Sequence, residues 1–299
     1  MSEIPKDYVI KVGAGVGDIP TSTSFSQMSM YERCPQQYGY RYLEGLVEPP
    51  NLNMALGTTF HDVVEVQHDH KIKTKKNLTS DDMQDVFATR WKRGHKVWGR
   101  GPQELWMPWR DVDTSDKIRD GKRIALASTI TYHEAQAVKI KPLLIEQEFR
   151  LPFLVGNYVG YADVIHKVPQ GKGVIDMKLI GRRYERHAAH SSHQLTSYAW
   201  AYQQIHGEFL KVGSFHCTIK KNAPEVQVLD TKFSKARIQA FLYWAESQLV
   251  GIHSGRFPGR VGMHCNWCGY QHRCPWHKGK GFVAIRPTKL TIKGKSRDR

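Results

Sequence analysis

The sequence predicts a mixed α/β fold, α+β in its order of elements, with a small mixed sheet flanked by helices. Three observations lead there. Helical spacing of apolar residues dominates the chain up to position 138. A group of short β-branched and aromatic runs begins at Leu144. Helix and strand signals then alternate as far as His253.

Each element has its own local reason. Ser24 offers an N-cap for a helix through Tyr31 and Arg33, and Pro35 suits the start of a second helix over 36–43. Helical spacing recurs over 55–69 and 81–98, with the run Lys71, Lys73, Lys75 and Lys76 as the expected break between them. A further helix fits 115–138, through Ile118, Ile124, Ala125, Ala127, Ile130 and Ala135. Three strands are expected over 144–149, 158–165 and 173–178, with Pro169, Gln170 and Gly171 turning between the last two. A helix over 190–205, strands over 212–220 and 225–229, and a closing helix complete the series. Gly13, Gly15 and Gly17 lack the strand-then-helix context of a phosphate loop and predict a turn. There is no internal repeat.

Composition narrows the partners. Net charge is +16, from 44 Lys plus Arg against 28 Asp plus Glu, which favours a polyanion, and nucleic acid is the commonest. No run approaches the roughly 18 apolar residues of a membrane span, so no membrane partner is expected. Residues 1–18 lack a basic-then-apolar leader, which places the expectation in the cytoplasm, or the host cytoplasm for a phage-encoded chain. The tail 278–299 carries eight basic residues against Asp298. The expected organisation is an N-terminal extension over 1–23, a single domain over 24–277 with a helical insertion at about 70–140, and that basic tail.

The chemistry-bearing pattern lies on the middle strands. Val174-Ile175-Asp176-Met177-Lys178 puts Asp176 and Lys178 on one strand face, about 7 Å apart. The preceding strand carries Asp163, and His61 and Gln194-x-x-x-Tyr198 lie on helices before and after. Carboxylate oxygens suit Mg²⁺ or Mn²⁺, which polarise a phosphate and lower the pKa of water. A lysine beside such an ion orients the attacking water or stabilises developing charge.

The ordered series Ser24-Phe25-Ser26, Tyr31-Glu32-Arg33-Cys34-Pro35, Gly57-x-x-Phe60-His61, Gly160-x-x-Asp163, Asp176-x-Lys178 and Gln194-x-x-x-Tyr198 resembles the RecB-like branch of the PD-(D/E)XK nucleases. The resemblance implies a restriction-endonuclease-like core in which His61, Asp163 and Asp176 bind the metal and Lys178 is catalytic, with Gln194 and Tyr198 beside the site. Glu148 and Glu65 are candidates for outer positions, with a solvated carboxylate the favoured reading of each.

Five cysteines without a leader argue for metal chemistry over a disulfide framework. Cys265-x2-Cys268-x5-Cys274 with a distant Cys34 satisfies the four thiolates of a [4Fe-4S] cluster. This resembles the iron-staple nucleases of AddB and CRISPR-adaptation type, in which the N- and C-terminal segments are joined by the cluster. Zinc is the alternative, with His264, His272 or His277 replacing Cys34. Cys217, in an apolar strand, predicts a core thiol. For the stretch 104–110, with Trp106 and Trp109, base stacking and simple packing weigh equally.

The expectation is a Mg²⁺- or Mn²⁺-dependent DNA nuclease, an exonuclease on linear or single-stranded DNA in recombination, repair or phage DNA metabolism. Its recombination partner, if any, is unidentified. Two alternatives stand beside it: a catalytically vestigial nucleic-acid-binding scaffold, and a zinc-stabilised nuclease acting on RNA.

Overall fold

The computed structural model of the chain describes residues 20–46, 52–97 and 115–276. The glycine-rich start, the stretch 104–110, His277 and the basic tail lie outside the described residues.

The two-residue strand β1 (Ser22–Thr23) had no signal in the sequence. Ser24 then caps α1 (Phe25–Arg33), its hydroxyl accepting from the Gln27 amide at 3.2 Å. Cys34 is extended and separates α1 from the short α2 (Pro35–Tyr38), which widens into a π-turn over Gly39–Leu43. The helix expected over 36–43 is therefore two geometries in series. α3 (Leu52–Thr74) runs on through Lys71 and Lys73, where a break was expected. Cations in a last helical turn complement its dipole, and Lys71 Nζ also donates to the Val138 carbonyl at 2.6 Å. The chain turns instead at Lys75, with φ +64°. α4 (Ser80–Val97) and α5 (Ser115–Tyr132) follow, and a π-turn over His133–Ala137 extends the latter.

The remaining strands are longer than expected because their ladders reach into the turns: β2 (Pro142–Pro152), β3 (Asn157–Val168) and β4 (Gly171–Ile180). α6 (His193–His206), β5 (Val212–Ile219), β6 (Glu225–Lys232) and α7 (Lys235–His253) come next. Two short 3₁₀ turns, Met263–Trp267 and Gln271–Arg273, carry the last cysteines.

The six strands form one mixed sheet in the order β1-β3-β4-β5-β6, with β2 on the other edge of β3. β1 with β3 and β4 with β5 are parallel; the other neighbours are antiparallel. Gly156 makes the β1–β3 junction possible. It has φ +71°, and a Cβ there would meet the Thr21 carbonyl oxygen at 1.9 Å.

Helices cover both faces, as a sheet with two apolar faces requires. α1, α6 and α7 close one face around Phe149, Tyr158, Leu195, Tyr202 and Phe241. α3 and α5 close the other through Phe60, Val64, Tyr132, Ile175 and Met177, and α4 packs outside them on Met83 and Phe87. Among the described residues no helix is long and apolar enough to cross a membrane.

Candidate active site

The site opens where the sheet forks. On one edge, β3 pairs with β1 only at Asn157 and Tyr158, and with β4 only from Val164 onward, opposite Ile175. Between these stretches the β3 edge is released, and Asp163 sits at the point of release. Its Oδ2 accepts the Met177 amide at 2.7 Å, so a carboxylate takes the place of a ladder carbonyl. His61, in the third turn of α3, brings Nδ1 to 3.4 Å from the same oxygen.

Asp176 and Lys178 share a face of β4, as alternation requires. Lys178 Nζ lies 2.7 Å from Asp176 Oδ2, an ion pair whose carboxylate is only 1% exposed. Four side chains close a ring. Lys178 Nζ donates to Gln194 Oε1 at 3.2 Å, Gln194 Nε2 donates to Tyr198 Oη at 2.9 Å, and Tyr198 donates to Asp176 Oδ1 at 3.3 Å. Ser192 caps α6 and sets the first turn that presents Gln194, and the next turn presents Tyr198. Ser197 takes a hydrogen bond from Tyr158 at 2.8 Å and donates to the Gln194 carbonyl at 2.7 Å, which locks the helix to β3.

Electrostatics follow from this crowding. Burial works against the Lys178 ammonium, but Asp176 and Asp163 outweigh it and hold the pKa above its ordinary value. Burial raises the Asp163 carboxyl, with Asp176 adding to the rise and His61 opposing it. Burial, then Asp176 and Asp163, keep the Tyr198 phenol protonated, which makes it a donor to Asp176.

His61, Asp163 and Lys178 line a cleft of about 490 Å³ that also holds Asp62, Glu65 and Glu146. Glu65 is where helical spacing from His61 placed it. Glu148 is not in the cleft; it pairs with Arg150 at 3.3 Å on the outer surface. Glu146 takes that place, at φ +44° on β2, between two residues paired to the neighbours of Asp163. Although the residue reaches solvent, its carboxyl group is half enclosed by the cleft. Burial first, then Asp163, Glu65 and Asp62, push it up to about 8. Sequence reasoning missed Glu146 and Asp62. Glu146 shares the alternation parity of Glu148, and only the local kink distinguishes them.

Carboxylates crowded at one cleft suit a hard cation. Asp176 Oδ2 is buried with the Lys178 ammonium 2.7 Å away, so a metal ion held there would share that oxygen with the lysine. Among the described residues, no three His, Cys, Asp or Glu side chains are gathered tightly enough to hold one ion.

Cys34, Cys265, Cys268 and Cys274 line a second, small cavity together with His264. None of the four is in a disulfide. Four sulfur donors lining one space match a cluster or zinc in donor type, although as placed no three of them stand close enough to hold an ion. The two segments they join were expected to meet by packing alone, but polar contacts also tie them. Tyr31 Oη donates to the Arg256 carbonyl at 2.7 Å, Tyr40 Oη to that of Arg273 at 3.0 Å, and Tyr270 Oη to that of Leu46 at 2.7 Å. Cys217 is fully buried in the core, where burial raises its thiol to about 12.

Comparison with known proteins bears on the whole of this arrangement. No curated protein matches the chain. The crystal structure of a protein from Eubacterium rectale described as a candidate exonuclease superposes with a TM-score of 0.51 at 11% identity, covering 90% of this chain and 94% of that one. At that identity the likeness speaks for the fold. A second solved structure, SSO0001, is 14% identical over 72% of this chain and 84% of its own, with a TM-score of 0.32, too low to bear on the fold. The family model described as the PD-(D/E)XK nuclease superfamily matches residues 22–275, from β1 to just beyond Cys274, and the chain belongs to that superfamily.

Proposed function

We propose that the protein is a Mg²⁺- or Mn²⁺-dependent deoxyribonuclease that degrades DNA from ends. The observation that carries this is the fork: Asp163 at the point where β3 leaves β4, beside the paired Asp176 and Lys178. His61, Asp163 and Asp176 are the residues that would hold the ion, which supplies polarisation of the scissile phosphate and a more acidic water. Lys178, kept as an ammonium, orients that water or meets the charge developing on the phosphate. Gln194 aims the ammonium, and Tyr198 holds Asp176 in place through its proton. Glu65 and Glu146 enlarge the negative cleft that attracts the cation.

The basic chain supplies affinity for a backbone of any sequence. No base-reading module accompanies it among the described elements, so a requirement for ends is the simplest restraint on internal cutting. Roles in recombination, repair or phage DNA metabolism fit such an activity. For the second cavity we propose a [4Fe-4S] cluster on Cys34, Cys265, Cys268 and Cys274, structural in role. The distant Cys34 supports it over zinc, because a local zinc site would have no use for that residue.

The test is digestion of end-labelled linear DNA beside closed duplex and closed single-stranded circles, with Mg²⁺ or Mn²⁺. Linear DNA should be reduced progressively to short products while both circles survive. Single-stranded circles cut as fast as linear single strands would replace the exonuclease with an endonuclease. Absence of cleavage on every substrate would leave the vestigial scaffold.

A further inference from the structure

Lys178 lines two cavities, and their characters differ. The first is the acidic cleft. The second, of about 580 Å³, is walled by aromatic rings: Phe25 from α1, Tyr184 from the segment after β4, Phe215 from β5, His193 from the start of α6 and Trp244 from α7. We propose that this cavity holds an unpaired base of the strand being cut, which makes single-stranded DNA the substrate class of the site; the inference rests on the nuclease reading above.

The rings form two groups. His193 and Trp244 stack at 4.6 Å with planes 15° apart, and Phe25 lies 5.7 Å from Trp244. Tyr184 and Phe215 meet edge to face at 5.7 Å, and Phe215 backs the Lys178 ammonium at 5.9 Å. Of the two carboxylates at the cavity, Glu32 is engaged by the Trp244 indole N–H at 2.8 Å and Glu185 is exposed. Burial lowers the His193 pKa, so its imidazole is a neutral ring at pH 7. Exposed Arg182 and Arg186 lie on the segment that carries Tyr184.

A phosphate beside Lys178 would face the acidic cleft and its cation on one side and the rings on the other. Ring faces accept any base, which suits an enzyme with no sequence to read. A base inside a duplex is already stacked and paired and would have to be unstacked to enter, at a cost of binding.

The experiment measures binding without cleavage. Full-length Asp176→Asn protein is titrated with fluorescein-labelled oligothymidylate and with a duplex of equal length, with and without Trp244→Ala. Trp244→Ala should weaken single-strand binding by about tenfold and leave duplex binding unchanged, as expected for loss of one stacked base. Trp244→Phe, which keeps a ring, should restore it. An oligothymidylate with one abasic position should lose about as much on the Trp244 protein and nothing further on Trp244→Ala. Equal losses on both strand types, or no loss, would overturn the proposal. If Trp244→Ala does not fold, the abasic series on Asp176→Asn decides: uniform binding at every position overturns it. A wild-type protein that binds in this way but never cleaves would instead sink the nuclease reading alone.

Discussion

The acidic cleft and the cysteine cavity are built on opposite principles. The cleft belongs to the sheet: Asp163, Asp176 and Lys178 stand on β3 and β4 with ladders running away from them and helices on both faces. Asp163 has His61 beside it and Asp176 has Lys178, both within the chain. The cysteine end has little core of its own. Cys265, Cys268 and Cys274 sit on or beside two 3₁₀ turns that bury no residue, and Trp267 and Trp276 nearby are 59% and 55% exposed. Tyrosine hydrogen bonds and one Arg273–Glu44 ion pair at 3.6 Å anchor that end. The cleft should therefore survive removal of anything bound to it, whereas the cysteine end should lean on whatever its thiols hold.

The largest effect expected is on cleavage. Asp176→Asn and Lys178→Ala should each reduce it to background, and the two should part company in stability. Lys178→Ala strands a buried Asp176 without its cation and should cost about 3 kcal/mol in urea unfolding. Asp176→Asn keeps an acceptor for the Tyr198 hydroxyl and should cost less. Wild-type cutting by either variant would remove the cleft from the chemistry.

Cys34→Ala tests the other half of the comparison. In metal-loaded protein it should lower stability by ~2 kcal/mol or more, about 4–8 °C in Tm for a domain of this size. Proteolysis should begin within 256–276, and the bound iron should be lost with it. A variant with unchanged Tm, iron content and digestion pattern would show that the tyrosine anchors suffice.

A last effect concerns acid, and it falls on the sheet and α3 rather than on the cysteine end. His68 and His216 are pushed down to about 3, and His166 to about 4, all chiefly by burial. Below pH 6.5 the unfolded chain takes up protons on these rings that the folded chain refuses. Stability is thus complete above that pH and falls as pH drops toward 4, by up to about 1.4 kcal/mol per unit for each ring. His68 has neither ring nitrogen hydrogen-bonded, so His68→Leu should flatten part of the decline. A Tm profile with the same slope in variant and wild type would exclude His68 as a cause.

Much of this was legible in the chain because strands and helices impose short periods. Alternation placed Asp176 beside Lys178, and helical spacing placed Tyr198 one turn after Gln194. Cys34 could be joined to the C-terminal trio only by the four-thiolate requirement and the family resemblance, since nothing local reports a contact across so much chain. Glu146 was not singled out because a two-residue period cannot distinguish it from Glu148 on the same face, and the kink at φ +44° is set by its surroundings. β1 was invisible because two residues carry no period.

By itself the sequence determined the sequence-local features: the order of elements, the Asp-x-Lys pair, the cap at Ser24, and the basic character of the whole. The tertiary structure decided what lies between elements. It forked β3 from β4 at Asp163, turned Glu146 into the cleft, and assembled an aromatic wall from α1, α6 and α7 around Lys178. The physical reason is that local backbone preference acts within a few residues, while a cleft exists only where packed elements from distant parts of the chain fail to close against one another.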